Sequence, residues 1–265
     1  MAWFFVLFFV SGFCSILYEI IWLRLAMAQF GVTSALVSIV LSMFMAGLGL
    51  GSWAGGYAIQ RNKGRIRISA LGLYGLTELL ISASALAVPY QLRYGRGVLE
   101  SIPVSSSWSY YLLSGFWIAL TLIPLCACMG ATIPIAMSAI RDAFASEASK
   151  SFSTLYRANV LGAVLGAILP LVLIEIYGFR GTLRMGALLN ALVFLVATIL
   201  SLRSSPQQRG FAGDQASSTA VDYSLSEDKS FKPLLFLFLT GLTSMGAEVV
   251  WIREFTPYLG TVVYA

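Results

Sequence analysis

The stretch SGFCSILYEIIWLRLAMAQFG, residues 11–31, is apolar over nearly its whole length yet carries two ionisable side chains, Glu19 and Arg24. Its length and hydrophobicity match a helix that crosses a lipid bilayer, which needs about 20 residues. An ionised side chain at the centre of such a helix costs roughly 2.5–3.5 kcal/mol on insertion scales, so it is usually paired or functional. The stretch therefore predicts a membrane-spanning helix whose two charges require partners.

The composition of the whole chain extends this prediction to a multispanning protein that lies in a lipid bilayer. Of its 265 residues, 58% are hydrophobic and only 11% are charged, whereas a soluble domain has about 25% charged residues. Apolar runs of spanning length recur along the chain, and no soluble domain fits between them. The predicted spans are residues 3–29, 33–59, 68–90, 110–138, 155–177, 183–202 and 233–256.

The basic residues between these spans predict the orientation of the chain. Loops on the cytoplasmic side of a membrane carry an excess of Lys and Arg. With the N-terminus in the cytoplasm, most of the loop cations fall inside, and only Arg93, Arg96, Arg180 and Arg184 fall outside. The sequence therefore predicts a multi-pass protein with a cytoplasmic N-terminus.

A second copy of the opening stretch occurs near the end of the sequence. Residues 240–260, TGLTSMGAEVVWIREFTPYLG, repeat its pattern, so that Glu19, Trp22 and Arg24 recur as Glu248, Trp251 and Arg253. Two such copies, separated by six predicted helices, resemble the opening helices of the two parallel repeats in major facilitator transporters. The predicted fold class is an all-α integral membrane protein, with a six-helix bundle resembling the N-terminal half of such a transporter plus the first helix of a second repeat.

The predicted domain organisation follows from a polar segment between the two copies. Residues 204–230 are rich in Ser, Gly and acids and poor in large apolar residues, which predicts a flexible cytoplasmic loop. Residues 1–203 then form a six-helix transmembrane repeat, and residues 231–265 hold the first helix of a second repeat. Because that repeat stops after one helix, we expect the chain to be a truncated form or a fragment of a longer protein.

The charges of the two copies are candidates for a substrate or proton site. Glu19 and Arg24 are five residues apart, so they point about 140° away from each other and cannot pair well within one helix. Across the two repeats, Glu19 could meet Arg253 while Glu248 meets Arg24. Alternatively, the arginines reach to the membrane interface beside tryptophan anchors and only the glutamates are buried. The candidate residues are Glu19, Trp22, Arg24, Glu78, Glu248, Trp251 and Arg253, with the two tryptophans as cation–π walls.

Four segments of the chain, read together, resemble a known family. They are SGFCSILYEIIWLRL (11–25), FMAGLGLGSWAGGYAIQR (44–61), MGATIPIAMSAI (129–140) and LYRANVLGAVLGAILPLVLIEIYGFRGT (155–182). They resemble the membrane region of the bacterial fused major-facilitator/spermidine synthases. The resemblance implies a bacterial inner-membrane protein whose membrane region precedes an aminopropyltransferase-like domain that binds decarboxylated S-adenosylmethionine and a polyamine.

The chain itself contains no sequence that would build such a transferase site. Its GxG pattern, Gly47, Gly49 and Gly51, lies inside an apolar helix, where small residues allow close helix packing, as do Gly162 and Gly166. The absence of histidine makes a zinc site hard to build. We expect no catalytic site, no cofactor and no nucleic-acid partner.

Two classes of function remain open from the sequence. The first is a membrane domain that anchors or serves an aminopropyltransferase-like domain, which would be the missing partner together with the rest of the second repeat. The alternative is a secondary transporter for a cationic amine or another small solute. The family resemblance favours the first class, and the acids within the predicted spans favour the second.

Overall fold

The computed structural model describes residues 2–61, 69–103, 106–143, 148–203 and 231–259. Within these ranges the chain is helical and contains no β-strand. The helices are α1 (Ala2–Phe30), α2 (Ser34–Arg61), α3 (Ala70–Glu100), α4 (Ser107–Ala143), α5 (Ala148–Arg203) and α6 (Phe231–Leu259). The predicted all-α membrane fold is confirmed.

Helix α5 is two membrane crossings joined at one glycine. Its apolar part runs over 51 residues, Ser153–Arg203, about twice the length that one crossing needs. Gly178 interrupts it with φ 66° and ψ 174°, which are not helical. The first segment of α5, residues 148–177, packs along α1, and the second segment, residues 179–203, packs along α3. These segments correspond to the predicted spans 155–177 and 183–202.

The second segment of α5 runs antiparallel to α3. The hydroxyl of Ser82 donates to the carbonyl oxygen of Ala187 at 2.7 Å, and at the other end Ser69 and Ser201 share a hydrogen bond between their hydroxyls. Residue numbers therefore rise along one helix as they fall along the other. These two hydrogen bonds define which residues of α3 and of the second segment of α5 lie opposite each other.

Close packing in the first five helices depends on glycines at helix crossings. A Cβ on Gly51 of α2 would overlap the carbonyl oxygen of Ala127 in α4, and a Cβ on Gly130 of α4 would overlap that of Leu48. Gly162 and Gly166 bring the first segment of α5 against Phe9 and Phe13 of α1 in the same way. Small residues are the usual means by which membrane helices approach each other. The packing role predicted for these glycines is confirmed, except that Gly49 faces open space.

Helix α3 continues beyond residue 90, where its hydrophobic run ends. The added turns are polar, and Arg96 pairs with Glu100 at 2.7 Å one turn later, an arrangement that stabilises an exposed helix. Helix α4 continues through Pro124 and Pro134 as one helix. Both helices extend past the residues that hydropathy alone indicates.

The chain divides into two compact units, Met1–Ser201 and Leu202–Ala265. The first unit contains α1 to α4 and nearly all of α5, and the second contains α6. Helix α6 has an apolar stretch, Leu235–Glu248, that is shorter than a full crossing, so its insertion stays a prediction. The predicted loop 204–230 lies outside the described residues, and the predicted three-part domain division stays a prediction as well.

Candidate functional site

Glu78 lies fully buried in α3, at 0% exposure. Its Oε1 atom accepts a hydrogen bond from the hydroxyl of Ser11 in α1 at 2.7 Å. Within the described residues its Oε2 atom has no hydrogen-bond partner. A buried carboxyl group with a single complete hydrogen bond is uncommon, because burying a charge is costly unless it is paired and hydrogen-bonded.

Two buried tyrosines lie close to this carboxyl group. Tyr74 precedes Glu78 by one turn of α3, and Tyr18 is in α1; both hydroxyls lie within electrostatic range of Glu78. The Tyr74 hydroxyl is close enough to interact with the Glu78 carboxyl group, and the Tyr18 hydroxyl with the Cys14 thiol, but neither completes a hydrogen bond of ordinary geometry in the described ranges. Their rings are fixed by stacking, Tyr74 on Phe8 at 5.7 Å and Tyr18 on Trp22 at 5.4 Å between centroids.

The second segment of α5 contributes a further buried polar residue, Asn190. Gly186 lies against the ring of Tyr18, and Asn190 follows one turn later on the same face. Asn190 is 1% exposed, and its Oδ1 atom lacks a hydrogen-bond partner among the described groups. The antiparallel register between α3 and this segment places Asn190 at the level of Glu78, because Ser82 pairs with Ala187 and Gly75 faces Ala197.

We call Ser11, Tyr18, Tyr74, Glu78 and Asn190 the polar core cluster. Its members come from α1, α3 and α5, and four of them carry a buried oxygen without a partner in the described part of the chain. Nearly all buried polar atoms in proteins are hydrogen-bonded, so four unpartnered buried oxygens in one cluster are unusual. Ionisable residues within membrane helices that face the bundle interior commonly mark ion or proton sites.

The polar core cluster lies within a region that matches a known family model. The model, described as Major Facilitator Superfamily, covers residues 3–263. The chain belongs to the major facilitator superfamily. No curated protein and no solved structure gave a match. Membership confirms a transporter-like, multi-pass membrane domain, while the resemblance to fused spermidine synthases stays a prediction.

Three further predicted residues, Glu19, Trp22 and Arg24, lie in α1 of this major facilitator chain. Trp22 is fully buried between Tyr18 and Phe44 of α2, and its ring nitrogen Nε1 has no hydrogen-bond partner among the described groups. Glu19 and Arg24 are both half-buried. Glu19 lies within electrostatic range of the Cys126 thiol in α4. Glu19 of α1 therefore lies near Cys126 of α4.

The predicted residues of the second copy lie in the other compact unit of this major facilitator chain. Glu248 is half-buried and Trp251 is 64% exposed within α6. Arg253 belongs to α6, but its side chain lies outside what the structure describes. The pairings of Glu19 with Arg253 and of Glu248 with Arg24 therefore remain predictions.

The sequence prediction included Glu78 but missed its neighbours. Ser11, Tyr18 and Tyr74 are ordinary members of apolar helices, and only their contacts single them out. Asn190 carried the clearest signal, because it is an amide inside the apolar run 183–202. In the described ranges no cluster of three or more His, Cys, Asp or Glu residues has the arrangement of a metal site.

Proposed function

We propose that this major facilitator chain is the membrane domain of a secondary transporter for a small cationic solute, with an organic amine as the best-fitting class. Glu78 serves as its proton or cation site. The observation that carries the proposal is a fully buried carboxyl group with one complete hydrogen bond, from Ser11, and one oxygen that completes none in the described residues. Family membership supports a transporter-like domain. What the proposal adds is the class of solute.

The chemistry of the unpartnered atoms favours a ligand with hydrogen-bond donors. Oε2 of Glu78 and Oδ1 of Asn190 are acceptors, and the hydroxyls of Tyr18 and Tyr74 can accept as well as donate. An ammonium group offers three donors and a positive charge, and a proton or hydronium ion satisfies the same carboxyl group. An anionic solute would find no complementary charge in the polar core cluster.

The test uses full-length protein in proteoliposomes with an imposed pH gradient and radiolabelled putrescine as the probe. We expect uptake that depends on the gradient and is abolished by Glu78→Gln. Glutamine keeps the shape of the side chain and can accept the Ser11 hydrogen bond, but it cannot ionise. The control is Glu175→Gln, which removes an exposed acid in the first segment of α5 and is expected to leave uptake unchanged.

Two results would contradict the transporter proposal. One is gradient-dependent uptake by Glu78→Gln at the rate of the unaltered protein. The other is the absence of uptake by the unaltered protein for putrescine and for a panel of other small amines. A thermal unfolding curve for each variant separates loss of the site from loss of the fold.

A second candidate function is a membrane domain that serves an aminopropyltransferase-like domain. The four sequence segments that resemble fused spermidine synthases favour it. Spermidine formation from putrescine and decarboxylated S-adenosylmethionine by the full-length protein would support this candidate, with or without uptake. If the full-length protein shows neither spermidine formation nor binding of the aminopropyl donor, this candidate is wrong.

A further inference from the structure

A small cavity lies between α3 and the second segment of α5, away from the polar core cluster. Its volume is about 50 Å³, and its lining includes three arginines, Arg93, Arg180 and Arg184. Arg93 lies toward the end of α3, and Arg180 and Arg184 lie near the start of the second segment. The cavity is therefore at the end of the bundle opposite the N-terminus.

The three arginines form a concentration of positive charge that the protein does not neutralise in the described ranges. Among the described residues at this end, Arg96 pairs with Glu100. No described acid forms an ion pair with the three arginines of the cavity. Guanidinium groups that converge on one cavity repel each other, so their arrangement favours an anion. Arginine is suited to phosphate oxygens, because its planar donors can bind two of them at once.

An exposed apolar surface begins directly beside these cations. Leu188, Leu192 and Leu195 follow Arg184 at helical spacing, and each is more than half exposed. On α3, the exposed Leu86 precedes the cavity, and Tyr90 and Tyr94 are each 67% exposed beside it. Exposed tyrosines are typical of the level at which lipid headgroups begin. A ligand at this cavity would therefore have an anionic end among arginines and an apolar end along the leucines.

The volume of the cavity limits what can enter it. At roughly 10–15 Å³ for each water-sized group, 50 Å³ holds about four such groups, which is comparable to the oxygens of one phosphate. A whole small-molecule ligand usually occupies roughly 300–1,000 Å³. The rest of a ligand must lie outside, on the apolar surface.

We infer that Arg93, Arg180 and Arg184 bind the phosphate of an anionic phospholipid headgroup, whose acyl chains lie along Leu188, Leu192 and Leu195. The shared chemistry is a phosphate anion, and free phosphate is the other source that a test must separate. The site is independent of the transport proposal, because it uses none of the residues of the polar core cluster.

The test is native mass spectrometry of full-length protein in detergent, titrated with phosphatidylglycerol, phosphatidylcholine or inorganic phosphate. We expect preferential retention of phosphatidylglycerol. Since a basic residue near an anionic lipid surface contributes about 1 kcal/mol, Arg184→Gln should weaken that binding roughly fivefold, and replacing all three arginines by Gln roughly a hundredfold. The matched control is Arg96→Gln, which removes an arginine at the same end that is already paired with Glu100.

Each outcome decides the proposal. Weaker phosphatidylglycerol binding in the cavity variants, with unchanged binding in Arg96→Gln, supports it. Binding of inorganic phosphate at the same three arginines, without preferential retention of phosphatidylglycerol, overturns the lipid assignment and makes free phosphate the ligand. Equal phosphatidylglycerol binding by the unaltered protein and the cavity variants overturns it. If the triple variant unfolds at a lower temperature in phosphatidylcholine, the single variant Arg184→Gln provides the comparison.

Discussion

At the residue scale, the central feature is the single hydrogen bond between Ser11 and Glu78. It joins residues 67 positions apart, at 2.7 Å, in the interior of the bundle. The remaining carboxylate oxygen is buried and completes no hydrogen bond in the described chain. The carboxyl group is thus positioned by α1 but left with capacity for a proton or a ligand.

Replacement of Ser11 by alanine tests that positioning. Ser11→Ala removes the complete hydrogen bond to Glu78, and interhelical hydrogen bonds in membrane proteins contribute about 0.6 kcal/mol, up to about 1.7. We expect a lower unfolding temperature in detergent together with reduced uptake. Ser15→Ala is the control, because Ser15 bonds only to the backbone oxygen of Ser11 within its own helix. Equal losses in the two variants would contradict a special role for the Ser11 bond.

At the scale of the helices, close approach through glycine decides how the elements pack. Helices α2 and α4 pack with their backbones nearly in contact at Gly51 and Gly130. The chain reverses direction at Gly178, where φ is positive and ψ extended. A side chain added at the crossing would destabilise the fold by steric overlap. A side chain added at the reversal would destabilise it by forcing an unfavourable backbone conformation.

A pair of glycines on α2 offers a test of the crossing. A Cβ on Gly51 overlaps the backbone of Ala127, whereas nothing lies within 4 Å of a Cβ on Gly49. Overpacking typically costs about 1–3 kcal/mol, so Gly51→Ala should lower the unfolding temperature markedly. Gly49→Ala should be neutral or stabilise by up to about 1 kcal/mol, since alanine favours a helix. A tolerated Gly51→Ala would show that the two helices lie further apart.

The chain reversal can be tested at Gly178. Its combination of φ 66° and ψ 174° is nearly restricted to glycine and costs other residues about 1–3 kcal/mol. Gly178→Ala should therefore lower the free energy of unfolding, measured by denaturant titration in detergent. Gly97→Ala in α3 is the comparison, because Gly97 is helical and a Cβ there meets nothing within 4 Å. Equal stability of the two variants would indicate an ordinary helical conformation at residue 178.

At the scale of the whole molecule, the distribution of charge predicts the orientation in the membrane. The arginines outside the predicted cytoplasmic loops, among them Arg93, Arg180 and Arg184, meet at one end of the first unit. The segment between α2 and α3, residues 61–67, is rich in basic residues. Positive-inside bias places that loop in the cytoplasm.

Cysteine labelling in intact cells tests the orientation. Cys14, Cys126 and Cys128 are first replaced by alanine, and single cysteines are introduced as Gly64→Cys or Ser101→Cys. We expect a membrane-impermeant maleimide to label position 101 from outside and position 64 only after the cells are opened. Labelling of position 64 from outside, with position 101 protected, would reverse the predicted topology.

The two copies of the opening motif lead to a test of pairing between repeats. If Glu19 pairs with Arg253, Glu19→Gln leaves an unpaired charge, which costs more than removal of both partners. In the full-length protein, the double variant Glu19→Gln/Arg253→Gln should then unfold at a higher temperature than Glu19→Gln alone. Additive losses in a double-mutant cycle would exclude the pairing.

The sequence by itself determined the membrane class, the first six spans, most of the glycine crossings and the place where α5 divides. These features follow from local properties, because a bilayer requires long apolar helices with internally satisfied backbones. Hydropathy is read along the chain, so the run of apolar residues indicates each crossing. Gly178 falls between two predicted spans for the same reason.

Only the tertiary structure decided which faces of the helices meet. Lipid is as apolar as the protein core, so a lipid-facing side and a buried side look alike in sequence. The contact of Ser11 with Glu78 and the convergence of Arg93 with Arg180 and Arg184 therefore depend on helix rotation and register, which distant residues set together. The sequence supplied Glu78 as a candidate, and the packing of α1, α3 and α5 supplied its surroundings.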